Sequence, residues 1–415
     1  MSDATIKVLL VAYHFPPLGL GGVGRALALF KYPGQFGVKV FVLTVKDIVY
    51  PEYDHSLLKG LDSSRVIRSG SCDPSRLMHL FGVRKGPRSD MGDFSAGILC
   101  RPDYKRGWNP FAYHKACSII KNHGIDCIIT TSPPPSSHLI GLKLRDKYRL
   151  PWIADFRDLW YSLPIEKVYK YRGQVEYARK LKKSVVDTAD EIVGVNKSIL
   201  SYLGRGELIY NAADDGVIDF WKNEPQTGED NFLIGILGSI SRLTPIEPLF
   251  KILRAVIEKD ATLKDKIRIM HAGKCNSEEV MAAACKYGLA DNITLHGYLP
   301  KQTAIQSLAG ANLLYIAVQD IENYHILPGR IFDMLVSGKP ILAVAHPDSD
   351  LAGIAGNHPK NIVADYDDID MAGERLASLI DNPGEFSEIG DVRQYTASVM
   401  AHKYAAVIRR VIENK

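Results

Sequence analysis

Short apolar runs alternate with amphipathic stretches along nearly the whole chain. The first run, residues 6–12, is almost continuously apolar, which is typical of a parallel strand buried on both faces. Runs of the same kind predict strands at 38–44, 127–130, 152–154 and 191–195, and then at 232–237, 267–271, 293–295, 313–316 and 341–344. Helical patterns separate these runs, so the sequence predicts an α/β protein built from doubly wound parallel sheets.

The alternation stops and starts again near the middle of the chain. The stretch 211–231 is rich in Asn, Asp and Gly, and it separates two series of predicted strands. We therefore predict two Rossmann-like domains, residues 1–215 and 216–395, followed by a C-terminal helix, 396–415, that packs back on the first domain. Residues 47–110 break the pattern and are predicted to form an irregular insertion with loose basic and aromatic side chains, among them Lys105 and Trp108.

Composition narrows the class of protein. The 415 residues are 46% hydrophobic and 24% charged, with a formal net charge of +4. This bias is too weak to indicate nucleic-acid binding, although it suits an anionic substrate or an anionic membrane surface. The start of the chain is polar and no apolar run is long enough to span a bilayer, so a cytoplasmic protein is expected. The six scattered cysteines predict neither disulfides nor a metal site.

A glycine-rich loop follows the first predicted strand and leads into a helix. Gly21 and Gly22 lie in this loop, where glycine lets the backbone approach a ligand and the helix N-terminus favours an anion. The pattern is only formally that of a dinucleotide fingerprint. A tight turn with close helix packing would give the same residues.

Three charged residues stand at the end of the strand predicted at 152–154. If the chain stays extended, Asp155 and Arg157 share one side. Arg157 could then clamp a phosphate, and Asp155 or Asp158 could accept a sugar hydroxyl; the alternative is a structural ion pair that closes the strand end. Further upstream, Ser136 or Ser137 is predicted to be the N-cap of a helix.

The second half carries a similar set of loops. Gly238 ends the first strand of that half and Arg242 follows shortly after, a combination that suits a diphosphate. Tyr298 follows a later strand and could pack near a nucleotide base. A surface salt bridge for Arg242 and a core turn around Tyr298 are the alternatives.

The stretch 323–340 is the most informative. Gly329 is predicted to begin a short helix whose free N–H groups could receive phosphate oxygens, and Arg330 adds a positive charge there. Asp333 lies about one turn further on the same face, where a carboxylate can accept two hydrogen bonds from a ribose diol. Alternatively, Asp333 is simply a favourable charge near a helix N-terminus.

Taken together, these segments resemble the glycogen-synthase-like family of retaining glycosyltransferases. The markers are Gly21–Gly24, the stretch 155–160, Asn211, Gly238 and the stretch 328–340. Residues 155–160 and 103–108 are similar to the bacterial members that build cell-surface polysaccharides. The resemblance implies a GT-B fold, with two facing Rossmann-like domains and a cleft between them, the first on the acceptor side and the second binding the nucleotide sugar.

The resemblance also implies roles for single residues. Arg242 and Arg330 match the basic positions that hold the diphosphate, Asp333 matches the ribose carboxylate, and Arg157 stands where many members carry a histidine that contacts the donor sugar. His325 stands where the family has the first acid of a Glu-x7-Glu pair, which departs from the pattern.

The sequence therefore predicts transfer of a sugar from a nucleoside diphosphate sugar, UDP- or GDP-linked, to a hydroxyl acceptor with retention. The acceptor would be a saccharide, a lipid-linked group or a small molecule, and neither a cofactor nor a metal is expected. Asp155, Arg157 and His325 are predicted to position the sugar. The alternatives are a sugar-nucleotide epimerase and a non-catalytic nucleotide-sugar-binding protein. The basic and aromatic residues between Arg76 and Trp108 are predicted to allow peripheral membrane contact.

Overall fold

The structure is a computed structural model that describes residues 5–19, 21–83, 102–160, 172–222, 231–319, 326–382 and 391–415. The chain divides into two compact units. The first unit comprises Met1–Asn211 together with Ala397–Lys415, and the second comprises Ala212–Thr396.

The first unit contains a sheet of seven parallel strands in the described part of the chain, in the order β3-β2-β1-β4-β5-β6-β7. The strands are β1 (Ile6–Val11), β2 (Val38–Val45), β3 (Val66–Ser69), β4 (Cys127–Ser132), β5 (Trp152–Phe156), β6 (Glu191–Gly194) and β7 (Glu207–Leu208). In the centre of the sheet, Val8 lies opposite both Val40 and Cys127. Strand order reverses between β1 and β4, so the loops that follow these two strands flank the position where such sheets bind ligands.

Helices connect the strands of this unit. They are α1 (Gly24–Lys31), α2 (Pro74–Leu80), α3 (Asn109–His123), α4 (Ser136–Tyr148), α5 (Arg172–Thr188) and α6 (Lys197–Leu203). Local chemistry fixes several of their ends. Asp73 caps α2 by accepting hydrogen bonds from two backbone N–H groups, with Pro74 in the first turn. Gly124 ends α3 in the left-handed conformation, at φ 63°.

The second unit contains a parallel sheet of six strands among the residues described, in the order β10-β9-β8-β11-β12-β13. The strands are β8 (Phe232–Leu237), β9 (Ile267–Ala272), β10 (Ile293–Leu295), β11 (Leu313–Val318), β12 (Ile341–Ala345) and β13 (Ile362–Ala364). The helices are α7 (Val217–Lys222), α8 (Glu247–Lys259), α9 (Leu263–Lys266), α10 (Ser277–Lys286), α11 (Lys301–Ser307), α12 (Arg330–Leu335), α13 (Asp350–Gly356) and α14 (Ile369–Asp381). Here the order reverses between β8 and β11.

The last helix, α15 (Ala397–Glu413), belongs to the first unit and packs against α1. Its apolar face is buried, and near its end Arg410 forms ion pairs with Glu191 and Glu207 at the β6–β7 edge of the sheet.

The predicted α/β fold is confirmed. The prediction that residues 47–110 form an irregular insertion is wrong in part. This region contributes β3 and α2, so it is not irregular throughout. Trp108 is completely buried and donates a hydrogen bond from its indole N–H to the hydroxyl of Ser69. Lys105 is also buried, and its Nζ donates a hydrogen bond to the hydroxyl of Ser75 at 2.5 Å. The prediction that Lys105 and Trp108 are loose is therefore wrong, because both side chains belong to the packed interior.

The predicted cap of α4 also differs from the structure. Asp103, from the short 3-10 segment before α3, accepts hydrogen bonds from the backbone N–H of Ser136 at 2.7 Å and from its hydroxyl at 2.9 Å. No side chain at the helix start itself forms a cap. The first free N–H group of α4 is therefore satisfied by a carboxylate that is distant in sequence, which local pattern cannot reveal.

Candidate active site

Three glycine-containing loops meet at the carboxyl ends of β8, β9 and β10. Gly238 has φ 85°, a conformation that disfavours other residues, and a Cβ at Gly273 would lie 2.0 Å from the carbonyl oxygen of Gly238. The N–H of Gly273 donates to the carbonyl of Gly297 at 2.8 Å. The loops thus pack backbone against backbone, and a side chain at 273 would separate them.

Arg330 lies over the first of these loops. It begins α12, which follows β11, so Gly238 and Arg330 come from the two strands between which the order of the sheet reverses. The guanidinium Nη1 donates to the carbonyl of Ser239 at 3.0 Å, and a Cβ at Gly238 would lie 2.9 Å from Nη1. Only glycine at position 238 leaves room for the guanidinium in this position.

The charge of Arg330 is incompletely matched. Within the described ranges, its Nε is buried without a hydrogen-bond partner, and no carboxylate forms an ion pair with it. Burial lowers the pKa of Arg330 to about 10, and the nearby Tyr315 opposes this shift, so the side chain remains charged at neutral pH. A half-buried guanidinium with a buried, open donor is an environment that favours an anionic ligand.

His271 supports the same loop from below. It is fully buried in β9, and its Nε2 lies 2.8 Å from the carbonyl oxygen of Gly238. A carbonyl can only accept, so Nε2 carries the hydrogen in the neutral ring. Burial is the main reason that the pKa of His271 is lowered, and Arg330 and His296 act in the same direction. The ring is therefore a neutral support for the loop.

Asp333 projects from the first turns of α12 and is 5% exposed. One carboxylate oxygen lies 2.8 Å from Nζ of Lys301, the first residue of α11, and the backbone carbonyl of Asp333 accepts a hydrogen bond from the indole of Trp221 at 2.9 Å. Burial raises the pKa of Asp333; Lys301 opposes this, and Asp214 reinforces it. Lys301 thus lies against the carboxylate and Trp221 binds the main chain of Asp333, and sequence reasoning selected neither residue.

The other predicted nucleotide-site residues occupy different environments. Arg242 is exposed, in a turn closed by hydrogen bonds between Ser241 and Thr244, and Tyr298 is half-buried. Gly329 precedes α12. This helix has six residues and is too short for its N-terminus alone to define an anion site. His325 lies outside the described residues.

In the first unit, Asp155 has a partner other than the expected one. The carboxylate is completely buried at the end of β5, and it pairs with Arg25 of α1, whose Nη2 lies 2.9 Å from Oδ1. It also accepts hydrogen bonds from the hydroxyls of Tyr404 at 2.6 Å and Thr131 at 2.7 Å. Burial raises the pKa of Asp155, but the charge of Arg25 and these hydrogen bonds outweigh it, so the net pKa lies below its usual value.

Asp155 and Arg157, which would share one side of an extended chain, have different partners in the structure. The strand ends at Phe156, so Arg157 is no longer on an extended chain. Its guanidinium donates to three backbone carbonyls, those of Gly22, Ser132 and Pro133. Arg157 thereby joins the loops after β1 and β4, at the point where strand order reverses in this sheet. Gly21, in the same glycine loop, is exposed.

His14 is a neighbour of this arginine that sequence reasoning missed. A Cβ at Gly22 would lie 3.7 Å from Nδ1 of His14 and 3.9 Å from Nη1 of Arg157. Burial, followed by the charges of Arg157 and Lys105, lowers the pKa of His14 well below its ordinary value. A neutral imidazole and a buried guanidinium therefore lie beside the glycine loop.

Arg25 was the other missed residue of the first unit. Its guanidinium contacts Asp155 and Tyr404, and Nη1 donates to the carbonyl of Tyr210 at 3.0 Å. The signal in the sequence was a single charged residue at the start of the otherwise apolar face of α1, which requires a buried partner.

No protein-family model matches the chain, and no curated protein matches it in sequence. Solved structures do match along nearly its whole length. Trehalose-phosphate synthase from Burkholderia xenovorans, in complex with glucose-6-phosphate, has a TM-score of 0.68 at 11% identity, with 97% of this chain and 100% of that chain covered. HepE from Anabaena, in complex with UDP, has a TM-score of 0.65 at 12% identity, with 98% and 100% covered. The chain has the GT-B fold.

The GT-B fold is shared by enzymes of more than one reaction. A structure from Listeria monocytogenes whose assigned activity is that of a UDP-N-acetylglucosamine 2-epimerase has a TM-score of 0.55 at 12% identity, with 99% of this chain and 98% of that chain covered. At such identities the likeness identifies the fold and not the reaction. In the part of the chain that the structure describes, no helix is both long and apolar enough to cross a bilayer.

Proposed function

We propose that the protein is a glycosyltransferase that moves a sugar from a nucleoside diphosphate sugar to a hydroxyl acceptor. The observation that carries this proposal is Arg330, a half-buried cation whose Nε is buried without a partner and which has no carboxylate partner among the described residues. It packs on Gly238 where the strand order of the second unit reverses. Ligands of doubly wound folds bind at such points.

The chemistry of transfer fits these groups. As the bond between the sugar and the diphosphate breaks, negative charge develops on the leaving diphosphate, and a preorganised guanidinium stabilises it. Arg330 supplies that charge, and the exposed Arg242 adds a second cation near the same strand end. Asp333 accepts the ribose hydroxyls, and Tyr298 packs near the base.

The first unit contributes a second cationic centre. Arg157 is 9% exposed and its guanidinium donates to backbone carbonyls, while the carboxylates of Asp158 and Asp155 act on its charge without a hydrogen bond to it. We propose that Arg157 and the glycine loop at Gly21 and Gly22 contact the sugar or the acceptor. Asp155 acts at a distance, because its oxygens are occupied by Arg25, Tyr404 and Thr131.

The finer features of the proposal follow the sequence resemblance. We propose a UDP- or GDP-sugar donor, retention of configuration, no metal requirement, and a saccharide or lipid-linked acceptor in surface-polysaccharide synthesis on the cytoplasmic side. Peripheral membrane contact is supported by an apolar cluster at the end of α2, where Leu80 is 60% and Phe81 86% exposed.

Binding is tested by titration calorimetry with UDP and GDP on the wild-type protein, Arg330→Ala and Asp333→Ala. A charge-assisted hydrogen bond contributes about 1.5–3 kcal/mol, so each variant should lose roughly 10- to 100-fold in affinity. Arg254→Ala is the matched control, since Arg254 pairs with Glu258 on the exposed face of α8. Full-strength binding of both nucleotides by Arg330→Ala would refute the site.

Turnover separates the proposal from its two alternatives. Product analysis with the donor alone and with donor plus a panel of acceptors, in the presence and absence of EDTA, distinguishes the reactions. Product formed only when acceptor is present supports transfer, and a changed sugar nucleotide without acceptor indicates an epimerase. Binding with no product in any mixture indicates a non-catalytic binding protein.

A further inference from the structure

An ion pair between Lys301 and Asp333 joins two helices beside the candidate nucleotide site. Lys301 begins α11 and Asp333 lies in α12, and their charged atoms are 2.8 Å apart. The side chain of Lys301 is 39% exposed and that of Asp333 only 8%. A partly exposed lysine thus contacts a buried carboxylate. Ordering its flexible side chain costs conformational entropy, and an ion pair at the surface seldom compensates that cost.

The surroundings of Asp333 disfavour its charge. The side chain is buried, and among the residues that the structure describes the charged groups acting on it are Lys301 from α11 and Asp214 from the segment before α7. Asp214 is a like charge and so acts with burial. Lys301 is thus the group that favours the ionised carboxylate, while the bond from Trp221 to the backbone carbonyl fixes the main chain of Asp333.

Ionisation matters for the ligand proposed at this position. A ribose diol donates two hydroxyl hydrogens, and an ionised carboxylate accepts both, whereas a protonated carboxyl uses one oxygen as a donor. Hydrogen bonds to a charged acceptor are also about twice as strong as neutral ones. Loss of the charge would therefore weaken recognition of the ribose without removing the side chain.

We propose that Lys301 is a positioning residue that keeps the Asp333 carboxylate ionised and oriented toward a ribose diol, an inference that rests on the proposed nucleotide site. Lys301 itself does not contact the reacting atoms. Its ammonium lies 2.8 Å from one carboxylate oxygen of Asp333, and its side chain is 39% exposed.

The test measures binding of UDP and GDP by full-length wild type, Lys301→Met, Lys301→Arg and Asp333→Asn between pH 6 and 9. Removing Lys301 should raise the pKa of Asp333 further, so the affinity of Lys301→Met relative to wild type should fall as the pH is lowered, by up to about tenfold for each pH unit below the pKa of the variant. It should recover toward wild type by pH 9, as the carboxyl ionises. Ratios of variant to wild-type affinity cancel the titration of the nucleotide itself.

The two matched variants sharpen the expectation. Lys301→Arg retains a cation and should follow the wild-type pH profile. Asp333→Asn should be weak at every pH. With 2′,3′-dideoxy-UDP, the difference between wild type and Lys301→Met should vanish, because the carboxylate then has no diol to bind.

Several results would overturn the inference. Tighter binding by Lys301→Met would mean that Lys301 competes with the ligand, and a loss independent of pH would mean that it contacts the phosphates or only supports the fold. An unchanged affinity would also contradict it.

A titration without ligand keeps the inference separate from the proposed function. The Asp333 carboxyl carbon, followed by NMR in aspartate-labelled protein and assigned with Asp333→Asn, should titrate at higher pH in Lys301→Met than in wild type. If wild type binds neither nucleotide, the proposed function fails while this titration still tests Lys301. An unchanged titration refutes the role of Lys301 even where nucleotides bind.

Discussion

Removing one hydroxyl from α15 should destabilise the first unit strongly. The hydroxyl of Tyr404 accepts a hydrogen bond from Nη2 of Arg25 at 2.6 Å and donates one to Oδ1 of Asp155 at 2.6 Å. Arg25 is 4% exposed and Asp155 is fully buried, so water cannot replace either bond. Tyr404→Phe deletes both while leaving the aromatic ring in place.

The magnitude follows from the bonds that remain. A hydrogen bond to a charged group contributes about 1.5–3 kcal/mol, and two are lost, but the ion pair between Arg25 and Asp155 and the bond from Thr131 persist. We therefore expect a loss of about 3 kcal/mol. For a unit of roughly 200 residues, each kcal/mol lowers Tm by about 2–4 °C, which gives a fall of about 6–12 °C.

Tryptophan fluorescence during thermal unfolding suits this measurement. Three of the four tryptophans, Trp108, Trp152 and Trp160, lie in the first unit and are buried there, so the signal reports mainly on that unit. Tyr113→Phe on α3 is the control, since the structure gives its hydroxyl no hydrogen bond within the described chain and a change near zero is expected.

Asp155→Asn extends the same reasoning to pH. It leaves Arg25 buried without its counter-charge, a change that costs about 3–5 kcal/mol. Because the folded-state pKa of Asp155 is lowered, the stability it contributes is present above the unfolded pKa near 3.9 and is lost as pH falls through the folded value. The difference in Tm between wild type and this variant should thus shrink below about pH 4.

A Tyr404→Phe variant that melts like Tyr113→Phe would refute the reasoning.

Two further changes test the loops and the surface. Gly273→Ala would place a Cβ 2.0 Å from the carbonyl oxygen of Gly238, so it should weaken the binding of UDP or GDP, measured by calorimetry, about tenfold or more. Gly353→Ala in α13 is the control and should bind normally, because the added Cβ meets nothing within 4 Å. Replacing Leu80 and Phe81 together by Ser should reduce sedimentation with anionic vesicles at low salt. Leu243→Ser is the control, since Leu243 is 46% exposed in the second unit, and it should sediment like wild type. Equal sedimentation of wild type, the double variant and the control would exclude the α2 cluster as a membrane contact.

Much of the fold could be predicted because buried parallel strands are apolar on both faces. The bounds predicted for β8 and β10 match the structure, and the other predicted strands differ by one or two residues at an end. The strands that sequence reasoning missed, β3, β7 and β13, have two to four residues each and lie at sheet edges. Runs this short carry too few positions for a period to be recognised.

The local chemistry was harder to predict for a different physical reason. Spacing along the chain shows which residues share a face, but it does not show which distant residue meets a buried charge. The partner of Asp155 is 130 positions away, and the cap of α4 is 33 positions away. The alternative given for the strand end, a structural ion pair, is what the structure shows for Asp155, and its partner is Arg25.

The two units nevertheless treat their buried charges alike. Both units bury a carboxylate beside a cation, Asp155 with Arg25 and Asp333 with Lys301. Both also hold an arginine by hydrogen bonds to backbone carbonyls. In the first unit that arginine is Arg157, and in the second it is Arg330. Carbonyl dipoles orient a guanidinium but do not neutralise it, so its desolvation is compensated only in part. Because both arginines stand where strand order reverses, a bound anion would lower the free energy most at these two positions, and their replacement should impair binding more than that of any paired arginine on the surface.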